Sequence, residues 1–308
     1  MSIPSLLKAP DSIPYSPLTT MRRIIIVLVF LLGSSHFVSA HTTPVQKYEA
    51  ELELYRKERE MESRPEQRQR LTAMCVRSLR ALGRTSESYQ EFFALCRTAP
   101  FSTHFDCIPL VWFTSRPFTP VGITADEKLA LQWIHPKTNP SGIENPAASL
   151  LAASILLSSA QPANRTRAME QLEQLSFFNS DANSKESESQ VRRQISLLAQ
   201  MQLRRVKIAT LKEESELQQW KTTFENLPAP LQAGPQYVLG LGYTKLQNEE
   251  QAILCWMRVP ILHSEDRPLA AQSLLEAAKS LRKLNRPEQE QTLLNELRRD
   301  YPDVKNVN

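Results

Sequence analysis

The sequence predicts an all-α protein built from stacked antiparallel helical hairpins, and three observations carry that expectation. Lys245-Leu246-Gln247-Asn248 is echoed 38 residues later by Lys283-Leu284-Asn285-Arg286. A self-similar period of that length marks stacked helix–turn–helix units. Apolar residues recur at a spacing of three and four through most of the chain, the period of a helix face. The 7 glycines are outnumbered by 21 prolines, which gather at helix starts and in one long connection. With 308 residues, 41% hydrophobic and 23% charged, the chain has the ordinary makeup of a globular protein with length for a buried core.

Residues 1–40 read as a leader and signal peptide. Met21-Arg22-Arg23 precedes nine apolar residues, Ile24 to Leu32, and Val38-Ser39-Ala40 supplies small residues before a cut. Nine residues fall well short of the roughly 20 that span a hydrocarbon core. The expectation is export, to the periplasm or cell envelope of a bacterium or otherwise by secretion, with an uncleaved membrane anchor as the alternative. The first 20 residues fit either a long leader or a start at Met21. Losing Lys8, Arg22, Arg23 and Asp11 takes the formal charge from +4 to +2. That is too near neutral for a nucleic-acid partner, which needs a basic face.

Residues 41–98 hold a charged helix and a first hairpin. Glu49 to Glu60 is dense in both signs of charge around Tyr48, Leu52 and Tyr55, a solvated helix with opposite charges one turn apart. Pro65 suits a helix start. Leu71, Met74, Cys75, Leu79 and Leu82 then share a face, and Gly83 ends the helix. Ser86 to Leu95 returns as its partner.

Residues 99–146 form a connection rich in proline and aromatics: Phe101, Phe105, Trp112, Phe113 and Phe118. Thr124-Ala125-Asp126-Glu127 is a capping box that places a short helix inside it. The aromatics either plug the groove of the stack or form an exposed ligand patch, and self-burial is the favoured expectation. His104, Asp106 and Cys107 mix three metal-ligand types, but with no second ligand pair nearby no metal is assigned. His135 and His263 read as loop surface.

Residues 147–230 supply more hairpins. Ala147 to Leu157 is strongly apolar, and Ala163 to Phe178 is its partner with Met169, Leu172 and Leu175 inward. Asn164-Arg165-Thr166 is a glycosylation sequon, used only on a eukaryotic secretory route. After the polar run from Ser180 to Ser189, Val191, Ile195 and Leu198 mark one helix, and Leu217, Trp220, Phe224 and Leu227 another. Arg192, Arg193, Arg204, Arg205 and Lys207 cluster on the first, with Glu213, Glu214 and Glu216 placed to neutralise them.

Residues 231–308 hold the two clearest hairpins. Leu239, Tyr243 and Leu246 share one face, and Ile253, Trp256 and Val259 the next. Gly240 and Gly242 need a packing reason, because a helical glycine costs roughly 1 kcal/mol against alanine. Leu239-Gly240, Tyr243, Lys245-Leu246, Ala252 and Trp256 resemble the tetratricopeptide repeat family. Ala277-Ala278, Leu281, Lys283-Leu284, Leu294, Leu297 and Pro302 resemble it less closely. Glu290 stands where a small alanine is usual, and the spacing of 38 exceeds the family's 34. The resemblance implies a TPR-like α-solenoid that binds proteins or peptides and carries no catalytic residues.

Four cysteines allow several disulfides in an exported protein. Cys75–Cys96 and Cys96–Cys107 are both open, with Cys255 a buried free thiol; none has CxxC spacing. No nucleophile elbow, phosphate-cradling loop or metal-ligand set is present, so no catalytic, metal or cofactor residue is assigned and no cofactor is expected. The functional expectation is a non-catalytic protein-binding or scaffolding protein with a protein or peptide partner. The alternatives are a membrane-held envelope component and an enzyme with a site near His104 and Asp106.

Overall fold

The computed structural model describes residues 43–113, 123–134, 145–178, 186–302 and 304. The leader and signal segment, Phe118 and His135 lie outside them. Among the described residues there are twelve α-helices and no strand. They are α1 (Pro44–Met61), α2 (Pro65–Ala81), α3 (Thr85–Thr98), α4 (Ala125–Ile134), α5 (Pro146–Leu156), α6 (Pro162–Ser176), α7 (Glu186–Lys207), α8 (Glu214–Phe224), α9 (Ala233–Lys245), α10 (Glu249–Leu262), α11 (Arg267–Lys283) and α12 (Pro287–Asp300). Proline occupies the first turn of α2, α5, α6, α11 and α12, where a missing N–H costs nothing. No described helix is long and apolar enough to cross a membrane.

Three hairpin turns share one geometry. Gly83, Gln247 and Asn285 each adopt a left-handed backbone, with φ of 68°, 60° and 54°. At each, the next residue's N–H reaches back to the last helical turn: Arg84 to Leu79 O, Asn248 to Tyr243 O and Arg286 to Leu281 O, at 2.9 to 3.0 Å. This pattern satisfies carbonyls that a helix end otherwise leaves bare. The Lys245 and Lys283 turns therefore occupy equivalent places, as the 38-residue echo requires. Elsewhere the predicted capping box forms in full. The Thr124 N–H donates to Glu127 Oε2 at 2.8 Å, and the Glu127 N–H to Thr124 Oγ1 at 3.2 Å.

Sequential helices pack side by side, and a second series of contacts runs α3–α5, α5–α7, α7–α9 and α9–α11. This is how stacked hairpins shelter stripes that neither can cover alone. All of α5 is buried, its alanines allowing close approach. Gly240 lies under the Trp256 indole and Gly242 under Leu217, the packing reason their presence demanded. An open solenoid keeps its ends apart, but here α11 also touches α2. The Arg80 guanidinium pairs with the Asp266 carboxylate, both largely buried, and Pro268 lies beside the Gly83 turn.

Residues 105–113 run between these inner helices as a strap. A 3-10 turn, Phe105–Cys107, leads into extended backbone. Ile108, Leu110 and Trp112 are at most 8% exposed. Trp112 lies against the backbone of Gly234 so closely that an added Cβ there would sit 1.8 Å from its ring. Phe113 packs on Tyr237 with ring centroids 6.1 Å apart. The aromatic plug is thus formed by the chain itself.

Helix propensity alone predicts that Gly234→Ala stabilises α9. The Trp112 contact reverses the sign: urea melts should show a loss of about 1–3 kcal/mol. Part of it should return when Trp112→Leu is added, the coupling expected of touching residues.

Candidate functional site

The inner face of the stack reads the strap through its backbone. The Val111 carbonyl accepts from Gln202 Nε2 at 3.0 Å and from Arg205 Nη1 at 2.7 Å, while the Val111 N–H donates to Ser154 Oγ at 3.3 Å. Helices α5, α7 and α9 therefore hold one extended segment, as a peptide groove would hold a ligand. The groove of the stack is thus filled by the chain's own connection.

A cleft of about 300 Å³ opens between α1, α2 and α3. Its polar groups are already engaged. Arg59 makes a two-pronged pair with Glu91 at 2.6 and 3.2 Å, Arg68 donates to Glu62 O, and Gln69 donates to Thr98 O at 2.7 Å. The cleft has little left with which to orient a ligand.

The outer ridge of α10 is different. Leu254, Ile261 and Leu262 are 56%, 68% and 64% exposed, while Ala252, Cys255, Trp256 and Val259 of the same helix face the core. Arg258 stands exposed between them. Three large apolar side chains within two turns form a patch of the kind that marks interaction sites.

The residues singled out from sequence fall in scattered places. His104 takes a left-handed backbone at the entry to the strap, and Asp106 pairs with Arg77. Among the described residues no group of three His, Cys, Asp or Glu side chains could hold a metal. All four cysteines are free. Cys75 sits in a small separate cluster with Leu52 and Leu79, whereas Cys96 and Cys107 pack with the main core, so of the two pairings the sequence leaves open Cys75–Cys96 is set aside. The cause is helical phase: Cys75 faces α1, not α3. Burial pushes the Cys107 thiol up to about 12 and that of Cys255 to about 11. The sequon Asn164 is 3% exposed, and its amide donates to Ser159 Oγ and Gln161 Oε1. A glycan there is incompatible with the folded chain.

Two further expectations are corrected. His263 is no surface residue but 5% exposed, because the chain turns inward after α10 to bring Asp266 to Arg80. Neutralisation of the α7 arginines by Glu213, Glu214 and Glu216 also fails. Arg192 pairs with Glu188 at 2.8 Å and lies over Phe101 and Phe178. Arg204 instead meets Thr223 Oγ1 at 3.3 Å and the Trp220 ring, and Arg205 meets the Val111 carbonyl. The 3-10 turn at Ile208–Thr210 sends Glu213, Glu214 and Glu216 along α8, away from both. Sequence reasoning also missed Asn145, which caps α5 through Ala148 N–H at 3.1 Å and donates to Cys96 O at 2.9 Å. Asn before Pro at a helix start was the available signal.

Compared with known proteins, the chain matches no family model, no curated sequence and no solved structure.

Burial holds both His263 and His104 below the usual imidazole pKa, against the upward pull of Glu265 and Asp266 on the first and Asp106 on the second. Arg80 beside His263, and Arg77 and Arg70 beside His104, add to the lowering. The unfolded chain therefore binds protons first as pH falls below about 6.5, and stability drops with it. Thermal melts should show a lower Tm at pH 5.5 than at pH 7.5. The double variant His263→Gln, His104→Gln should flatten that difference.

Proposed function

We propose that this chain is a non-catalytic binding or scaffolding protein, a divergent relative of the TPR-like solenoids. The α10 ridge is the observation that carries the reading. With the inner face filled by the strap, a partner docks outside, on Leu254, Arg258, Ile261 and Leu262. Arg258 has no ion-pair partner among the described residues. The complementary partner is a polypeptide segment with apolar side chains flanking a carboxylate, which gains from burying them and from the charge. The repeat at the Lys245 and Lys283 turns, the closely packed Gly240 under Trp256 and the stacked hairpins support the family resemblance.

Export belongs to the same reading and rests on the sequence of residues 1–40. A mature chain beginning at His41 by amino-terminal sequencing supports a free exported protein; retention of Ile24 to Leu32 supports an envelope component held by that segment.

The docking surface is tested with a photo-crosslinking residue in place of Gln251, an exposed position one turn before Leu254, in the full chain. Capture should be lost in Leu254→Glu and Ile261→Glu and kept in Met61→Glu, an equally exposed apolar site on α1. Melting temperatures should stay close to the parent's, since surface changes of this kind fall within about 0.5 kcal/mol. Equal capture by all three variants would refute the ridge as the contact.

A further inference from the structure

The α10 ridge and the turn that follows it carry charges of both signs, and neither is spent within the chain. Arg258 and Glu265 are exposed, and among the described residues no hydrogen bond or ion pair engages either. The two carboxylates of the helix itself are committed, Glu249 to Lys283 at 2.8 Å and Glu250 to Arg286 at 2.6 Å. Ile261 and Leu262, 68% and 64% exposed, lie in the chain between Arg258 and Glu265. A single short stretch therefore offers a cation, two uncovered apolar side chains and a carboxylate, in that order. The last turn of α10 holds no basic residue, so the partial negative charge of its terminal carbonyls also favours an incoming cation.

We propose that the partner docking on this ridge is a second copy of the same chain. The proposal rests on the ridge being the contact surface and names its occupant. In a two-fold contact one patch meets itself, so a residue that touches a second residue of the partner is touched by it in return. Antiparallel crossing of two α10 helices about an axis near Ile261 and Leu262 sets Arg258 of each copy toward the partner's Glu265 and covers the apolar side chains between them. The segment that Arg258 calls for, apolar side chains beside a carboxylate, is the one that the same ridge supplies. Leu254 extends the apolar strip by one turn. So small a patch covers about 1,200 Å² or less in total, the range of weak and transient contacts. The dimer therefore forms reversibly, with a dissociation constant on the order of 100 µM.

The test is sedimentation equilibrium of the full chain at low ionic strength, where exposed charges are least screened. The weight-average mass should rise with concentration from 35.1 kDa toward twice that value. Ile261→Glu should weaken association by about tenfold or more, whereas Met61→Glu on α1 should not. Arg258→Glu alone and Glu265→Arg alone each set like charges against each other twice and should also lose about tenfold. An equimolar mixture of those two variants restores both opposite-charge pairs and should associate at least as tightly as the parent. That recovery also shows that both variants are folded, and it is peculiar to a two-fold contact between these residues. A parent that stays monomeric, association unchanged by Ile261→Glu, or a mixture no tighter than either variant alone overturns the proposal. The outcome is separable from that of the ridge itself. If a chain that sediments as a monomer is still crosslinked from position 251 to a different protein, in a manner lost with Leu254→Glu, the ridge stands and self-association falls. Equal capture by all the ridge variants removes both.

Discussion

The structure depends on the burial of the strap against the inner helices, with Trp112 seated on the bare backbone of Gly234. A helix stack curved around a groove exposes apolar surface unless something fills it. Here Ile108, Leu110 and Trp112 do so, and their backbone groups are met by Ser154, Gln202 and Arg205. That matching matters because an unmet buried amide or carbonyl would cancel much of the gain from the indole. The strap also links elements distant in sequence, since Ser154, Gln202 and Gly234 lie on three different helices.

Closure follows from the same arrangement. Once the strap draws the inner helices around itself, α2 comes against α11, and the Arg80–Asp266 pair forms across 186 residues of sequence. Repeat arrays are quasi-one-dimensional when each unit touches only its neighbours. This one is not, so a defect in the first hairpin reaches the last through the Gly83 turn and its neighbour Pro268. Loss of modularity is the physical consequence of filling the groove.

A filled inner face changes what the surfaces can do. The cleft by α3 has its polar groups engaged by one another, whereas α10 leaves Leu254, Ile261 and Leu262 uncovered around Arg258. On the proposed reading, recognition of a polypeptide moves to the outside of the stack. An exposed cation such as Arg258 contributes mainly to selecting a partner.

What the sequence determined by itself was local and periodic. The helical spacing of Leu239, Tyr243 and Trp256, the stop at Gly83, the box at Thr124 and Glu127 and the echo at Lys245 and Lys283 all depend on residues within a few turns of each other. Backbone geometry and hydrogen bonding fix them at that range. Only the tertiary structure decided where the aromatics of the connection go, that the stack closes on itself, that Cys75 and Cys96 face different clusters, and that His263 is buried. It alone also showed that Arg204 and Arg205 escape Glu213, Glu214 and Glu216. Linear proximity of opposite charges says nothing about direction, and the turn at Ile208–Thr210 sets that direction. Burial is a property of what arrives from elsewhere in the chain, so Trp112 and Gly234 acquire their meaning only when packing brings them together.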